Sequence, residues 1–193
     1  MWMFYESKSN VRSSIVSVRK MVMIKEEIAP GIVVYDNVIP DNVFLYKEIQ
    51  KLMMDSKWIT PKWSYAEVED LEKITSLKLN RLFFDHFDPI EKDYKEYYKI
   101  FPEWHDVYGI MKYSPGQGFI NHVDDGTEYH RRVSVVYYLN DDYIGGEINF
   151  PRFNIKLKPK TNQIIIFPSI YVYNHSVSPI IEGDKYAVVS FLR

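Results

Sequence analysis

The 193-residue chain contains no cysteine, which excludes disulfides and leaves the redox compartment unreadable from thiols. Neither sign of charge is in excess. With 24 basic and 26 acidic residues the formal net charge is −2, so there is no electrostatic case for nucleic acid as a partner. No apolar run is long enough to cross a bilayer, and no membrane partner is expected. Repeats and low-complexity tracts are missing too. Residues 1–25 are basic and rich in Ser and Met, and lack the apolar segment of a secretory signal. Arg12, Arg19 and Lys20 there would also suit an organelle transit peptide, but a tail or a strand added to a sheet is the better expectation. A cytoplasmic location follows as an expectation. What remains, residues 26–193, is the length of one domain with a proper core. Aromatic residues make up 16% of the chain, including 16 tyrosines, which suits a β-rich interior.

The local patterns divide the chain into a mixed first half and a strand-rich second half. Gly31 to Val38 reads as a strand. Pro40-Asp41-Asn42 then starts a helix whose apolar face is Leu45, Ile49, Leu52 and Met53. Residues 58–80 show weak periodicity and read as a loop, or as a lid over a substrate. Asp88 reads as the N-cap of a second helix, with Pro89 at its first position and Glu91 closing a capping box. Beyond that, β-branched and aromatic runs recur at short intervals: Arg132 to Leu139, Glu147 to Phe150, Phe153 to Leu157, Gln163 to Phe167, Tyr171 to Val177 and Lys185 to Leu192. Asn140-Asp141-Asp142, Gly145-Gly146 and Lys158 to Asn162 punctuate them as turns. Such spacing leaves no room for crossover helices. The predicted fold is mostly β with flanking helices (α+β): an eight-stranded, double-sheet jelly roll with N-terminal helices packed on the major sheet.

The chemistry is concentrated in few residues. In a strand, positions i and i+2 share a face, so His122 and Asp124 can enter one cavity. A further imidazole from a distant strand, His175, completes two histidines and one carboxylate. That donor set holds Fe(II) on one side and leaves other coordination positions open. Lys185, ten residues past His175, supplies a cation that suits the far end of a dicarboxylate. A second His-x-Asp, His86 with Asp88, is explained by the helix cap. His105 and His130 read as solvated loop residues.

The sequence from about Gly109 to the C-terminus resembles the catalytic domain of prolyl 4-hydroxylase-like enzymes in the Fe(II)/2-oxoglutarate dioxygenase superfamily. The matching residues are Tyr113, Gly116-Gln117-Gly118-Phe119, His122-x-Asp124 and Tyr137-Tyr138-Leu139-Asn140. They continue with Gly145-Gly146-Glu147, Phe150-Pro151, Phe167-Pro168, His175-Ser176-Val177-x-Pro179 and Gly183-x-Lys185-Tyr186. This covers roughly the last 85 residues. The resemblance implies a double-stranded β-helix, cupin-like core, with His122, Asp124 and His175 as metal ligands. It assigns Lys185 to the distal carboxylate of 2-oxoglutarate, helped by the Tyr138 hydroxyl, with Tyr113 close by. It further implies Fe(II), 2-oxoglutarate and O2, with ascorbate as a stimulant. The implied reaction is hydroxylation of an unactivated C–H, with succinate and CO2 as coproducts. Relatives that halogenate lack the carboxylate ligand, and Asp124 is present here. Two positions depart from the family pattern: Ile148 stands where Thr is usual, and Val189 stands where some relatives carry a hydroxyl.

The resemblance points to peptidyl proline in a protein or peptide as substrate. Trp104, Tyr108, Tyr171 and Tyr173 read equally as core residues or as an aromatic groove around an extended Pro-containing segment. The alternatives are another side chain, a free amino acid or a small molecule. A non-catalytic jelly-roll module with a vestigial metal site is the reading from a different class. The sequence does not set the oligomeric state.

Overall fold

The computed structural model describes residues 23–39, 42–55, 72–75, 77–126 and 130–193. The expected tail over residues 1–22 and most of the expected lid, residues 58–71 and 76, lie outside them. So does the helix start at Pro40 and Asp41. Two strands open the described chain, β1 (Ile24–Ala29) and β2 (Ile32–Asp36), followed by helix α1 (Asn42–Asp55). After β3 (Glu72–Thr75) and the long helix α2 (Leu77–Tyr98) come β4 (Gly109–Tyr113), β5 (Phe119–His122) and β6 (Val133–Tyr138). Then follow β7 (Ile144–Gly145), β8 (Ile148–Phe150), β9 (Ile155–Leu157) and β10 (Gln163–Pro168). The chain ends with β11 (His175–Val177), β12 (Ile180–Glu182) and β13 (Lys185–Leu192).

All the strand pairings are antiparallel. The major sheet has the order β1-β2-β10-β6-β13-β4-β3, and the minor sheet β5-β11-β8-β9, with β7 and β12 paired separately. The expected jelly roll of two antiparallel sheets is what the chain forms. The parts of the expected loop or lid at residues 72–75 and 77–80 are instead a sheet-edge strand and the first turn of α2.

Strand β10 shows why the major sheet lies at the centre. Its run Ile164 to Phe167 is fully buried because both faces are covered. Ile164 and Ile166 face the helices, packing with Ile49 of α1 and with Phe83, Phe87, Ile90 and Tyr94 of α2. Ile165 and Phe167 face the minor sheet and pack with Ile148 and Phe150. Burying each such side chain is worth about 1.5–3 kcal/mol, so this one strand ties three layers together. Leu52 and Met53 of α1 pack on the same core, as their spacing predicts; the Leu45 side chain lies outside the described residues. No described helix is long and apolar enough to cross a membrane.

Helix α2 corrects the sequence reading. It begins at Leu77, and Pro89 sits inside it rather than at its start. An interior proline costs about 3 kcal/mol or more through its missing N–H and its clash with the preceding turn. Phe83, Phe87, Ile90 and Tyr94 offset that cost by forming one buried stripe that runs through the proline. Asp88 therefore caps nothing and pairs with Lys92 one turn on, at 2.7 Å. His86 is half-buried, its Nδ1 bonded to the Leu82 carbonyl.

Glu91 is likewise no capping residue. It is buried, and its carboxylate accepts hydrogen bonds from the Tyr108 hydroxyl at 2.5 Å and the His105 ring at 3.1 Å. The other ring nitrogen of His105 faces the Asp106 carbonyl. Both neighbours are acceptors, so both ring nitrogens must carry hydrogen, which describes an imidazolium. Burial opposes that charge, but the Glu91 carboxylate outweighs it and raises the His105 pKa. His105 is thus a partly buried ion-pair partner of helix α2 rather than a solvated residue. The stabilisation is complete below the unfolded imidazole pKa and disappears as pH rises through the higher folded value. His105→Gln should destabilise the protein by about 1.5–3 kcal/mol at pH 5.5, the worth of a charged hydrogen bond, and by clearly less at pH 9. Urea unfolding at both pH values tests this; equal losses at the two would show that His105 folds uncharged.

Candidate metal centre and cosubstrate cavity

Antiparallel pairing of β5 with β11 places His122 directly opposite His175. Residues facing each other on neighbouring strands have their Cβ atoms roughly 4.5–5.5 Å apart, and the two imidazole centroids here lie 4.3 Å apart. Each ring is held by its own backbone. The Nδ1–H of His122 donates to the Ile120 carbonyl at 2.8 Å, and that of His175 to the Tyr173 carbonyl at 3.1 Å. A carbonyl only accepts, so Nδ1 carries a hydrogen in both rings, which leaves Nε2 as the nitrogen each ring can offer to a metal.

Both Nε2 atoms converge on Asp124. Its Oδ1 is 3.4 Å from His122 Nε2 and its Oδ2 is 3.7 Å from His175 Nε2. One donor atom from each of the three residues falls within 4.8 Å of the others. Asp124 is not on a strand, as the i, i+2 argument assumed. Strand β5 ends at His122, and Asp124 lies in the bend that follows, where Asp125 and Gly126 are turn formers. Tertiary bonds aim it instead: Ser134 Oγ donates to Oδ2 at 2.6 Å, and Arg131 Nη1 donates to the Asp124 carbonyl at 3.3 Å.

The charges fit a cation. Burial works against ionising Asp124, but His175, His122 and the Ser134 hydroxyl together hold its carboxyl well below the usual range. Burial lowers the His175 pKa, against the pull of Asp124, and so favours the neutral, ligating imidazole. An ionised carboxylate beside two imidazoles whose Nδ1–H groups are held by carbonyls, with Nε2 turned inward, is a donor set that suits a divalent transition metal.

The centre forms one wall of a cavity of about 120 Å³ between the sheets. Alternation along β13 turns Lys185, Ala187, Val189 and Phe191 into it, and Met111, Tyr113, Val136, Tyr138 and Ile148 line it from neighbouring strands. Lys185 closes one end. It is only 1% exposed, with Nζ donating to the Gly146 carbonyl at 2.8 Å and the rings of Tyr138 and Tyr113 centred 5.1 and 5.3 Å away. Burial, with Lys158 adding to it and Glu147 opposing, pushes its pKa down to about 7. Gly146 permits this wrap. Its φ is +67°, and a Cβ there would lie 2.6 Å from Ile180, 2.8 Å from Tyr143 and 3.2 Å from the Lys185 stem.

All six residues singled out in the sequence, His122, Asp124, His175, Lys185, Tyr138 and Tyr113, therefore line one cavity. Ile148 and Val189, the two departures from the family pattern, line it as well and present only hydrocarbon. Sequence reasoning missed several neighbours. Lys158 sits in what reads as a simple turn, yet its Nζ donates to the carbonyls of Tyr143 and Gly145 at 2.7 and 2.8 Å and lies 3.3 Å above the Tyr143 ring. Arg131 stacks 3.7 Å over Phe191, and both residues also line a second, surface cavity of about 280 Å³. Of the four aromatics proposed for a groove, Tyr108 is core, bonded to Glu91, and Tyr173 stacks on Phe153 with its hydroxyl bonded to the Pro30 carbonyl. Trp104 and Tyr171 are exposed.

Comparison with known proteins agrees with this geometry. Residues 108–193 match the model of the 2OG-Fe(II) oxygenase superfamily. The chain is 25% identical over 104 residues to a "Putative prolyl 4-hydroxylase" of Acanthamoeba polyphaga mimivirus, a match spanning 44% of this chain and 43% of that protein. The chain thus spans less than half the length of that relative. Among solved structures it is similar in fold to a viral collagen prolyl hydroxylase from Paramecium Bursaria Chlorella virus-1, with TM-score 0.65, 19% identity, and 84% and 96% of the two chains covered. A Trichoplax adhaerens prolyl hydroxylase, solved with a hypoxia inducible factor peptide fragment, gives TM-score 0.70 at 16% identity, covering 84% and 83%. Over residues 108–193 the chain is thus similar to the 2OG-Fe(II) oxygenase superfamily, and the relatives it resembles are prolyl hydroxylases.

Proposed function

We propose that this protein is an Fe(II)- and 2-oxoglutarate-dependent dioxygenase that hydroxylates an unactivated C–H, with peptidyl proline as its substrate. The observation that carries this reading is one cavity with two imidazoles and a carboxylate on its wall and a buried lysine at its end. His122, Asp124 and His175 are the proposed ligands. A bound ferrous ion supplies activation of dioxygen coupled to conversion of 2-oxoglutarate into succinate and CO2, chemistry that belongs to the cofactor rather than the chain. The chain's own work is placement. One carboxylate leaves a divalent ion with net positive charge, which attracts the oxo-acid end of the cosubstrate. Lys185 pairs with its other carboxylate, which would be costly to bury alone. Tyr138 and Tyr113 shape that end, and the hydrocarbon of Ile148, Ala187 and Val189 keeps water out.

The substrate reading rests on the opposite end. Arg131, Val189 and Phe191 line both this cavity and the surface cavity that Arg193 also lines. Trp104 is paired to Arg193 through backbone bonds in both directions and is 72% exposed. A flat indole at such a rim suits an extended Pro-containing segment, whose low-entropy backbone docks on aromatic surface. The Trichoplax relative was solved with a peptide fragment, which supports a peptide here. Ascorbate stimulation belongs to the same reading.

The test is anaerobic addition of Fe(II) and 2-oxoglutarate, followed by oxygen and a panel of Pro-containing peptides. A visible charge-transfer band and then a mass gain of one oxygen on a peptide are expected. The band with no peptide modified would move the substrate to a free amino acid or small molecule; absence of the band would reject the dioxygenase reading. Excess Zn(II) should inhibit, because nitrogen and oxygen donors bind it more tightly than Fe(II). Turnover unchanged in excess zinc would count against the proposed ligands.

A further inference from the structure

We infer that Ser134 and Ser169 form a two-hydroxyl relay that positions the Asp124 carboxylate, engaging Oδ2 and leaving Oδ1 as the oxygen offered to the metal. The inference rests on the metal-centre reading above. Ser134 Oγ lies 2.6 Å from Asp124 Oδ2 and 2.8 Å from Ser169 Oγ. Counting hydrogens gives the direction. An ionised carboxylate has none to give, so Ser134 must spend its single O–H on Oδ2. Only Ser169 can then donate across the second bond, and the chain runs from Ser169 to Ser134 to Asp124.

Both serines are completely buried, at 0% and 1% exposure, so water does not compete for either hydroxyl. Successive hydrogen bonds in a dry environment polarise and strengthen one another. The scaffold is rigid. Ser134 lies on β6, on the same face as Val136 and Tyr138, and Ser169 directly follows β10, its hydrogen-bonded neighbour. Ser169 grips the metal-centre loop a second time, its carbonyl accepting the Asp125 N–H at 3.1 Å while its own N–H donates to the Arg132 carbonyl at 3.0 Å. The bend carrying Asp124 has no strand partner of its own, and this double attachment replaces one. A freely rotating carboxylate can offer both oxygens to an ion. A carboxylate held at Oδ2 offers one, which keeps coordination positions available for the cosubstrate.

The experiment titrates Co(II) into metal-free protein and reads affinity and the visible absorption, which responds to coordination number. Ser134→Ala should weaken Co(II) binding by roughly 10- to 100-fold, the usual cost of losing a partner that orients a ligand, and should alter the spectrum. Ser169→Ala should give a smaller loss of the same kind, and Ser134→Thr, which keeps the hydroxyl, should retain binding. Wild-type affinity and spectrum in Ser134→Ala overturn the relay. If that variant does not fold, wild-type affinity and spectrum in Ser169→Ala do so. Asp124→Ala separates the two levels of the argument. If it binds Co(II) as tightly as wild type, the metal-centre reading itself fails; if it loses Co(II) while the serine variants do not, only the relay fails.

Discussion

Replacing Asp124 with alanine is expected to abolish succinate formation while leaving the fold in place. Asp124 is the anionic member of the His122–Asp124–His175 set, and its carboxylate is held ionised against burial. Two neutral imidazoles alone provide no charge compensation for a divalent ion in a half-buried cavity. A loss of about 4 kcal/mol in ion binding, at about 1.4 kcal/mol per decade, weakens the affinity roughly a thousandfold. The fold should survive because Asp124 lies in a bend outside any strand and its partners, Ser134 and Arg131, are anchored elsewhere. Succinate release and circular dichroism, measured on the same preparation, decide the matter. Turnover near the wild-type rate would remove Asp124 from the ligand set.

The second large effect falls on the cosubstrate. Lys185→Ala is expected to weaken 2-oxoglutarate binding roughly 10- to 100-fold, since a hydrogen bond to a charged group is worth about 1.5–3 kcal/mol and each 1.4 kcal/mol is a decade. Binding of the metal ion should change little, because Lys185 closes the end of the cavity rather than joining the ligand set. Titrating each ligand separately shows whether the loss is selective.

The pH dependence of the native protein gives an independent reading of the same lysine. Burial pushes its pKa down to about 7, so the ammonium that pairs with a carboxylate is lost as pH rises above that value. Affinity for 2-oxoglutarate should fall by up to about tenfold per pH unit above neutrality, the slope for one coupled proton. Stability of the ligand-free protein moves the other way. A lysine whose folded pKa lies below its unfolded one contributes stability that is complete above the unfolded value and is lost as pH falls through about 7. Affinity falling while ligand-free stability rises over the same range is a signature that a surface lysine does not produce. A flat affinity profile from pH 6.5 to 8.5 would show that Lys185 stays charged throughout.

The elements that were legible in the sequence are those whose cause is local. Val133 to Tyr138, Gln163 to Phe167 and Lys185 to Leu192 are β-branched or aromatic runs between turn residues, and each is a strand. Period-2 alternation along β13 made Lys185 a cavity residue once the sheet existed. Helix α2 was legible only in part. Pro89 and Asp88 carry the signals of a helix start, and only the sheet that receives Phe83 and Phe87 reveals why the helix begins earlier. His105 and Tyr108 look like loop and groove residues until Glu91 is found buried between them.

By itself the sequence determined the strands, the donor types and the spacing from His175 to Lys185, because backbone preference and side-chain chemistry belong to single residues and short runs. Which residues meet was decided by the tertiary structure. The register that sets His122 against His175, the buried hydroxyl pair behind Asp124 and the lysine that braces the Tyr143–Gly145 turn all depend on how distant strands pair. That pairing is settled by burying apolar faces across the whole sheet, a global balance that no local window contains.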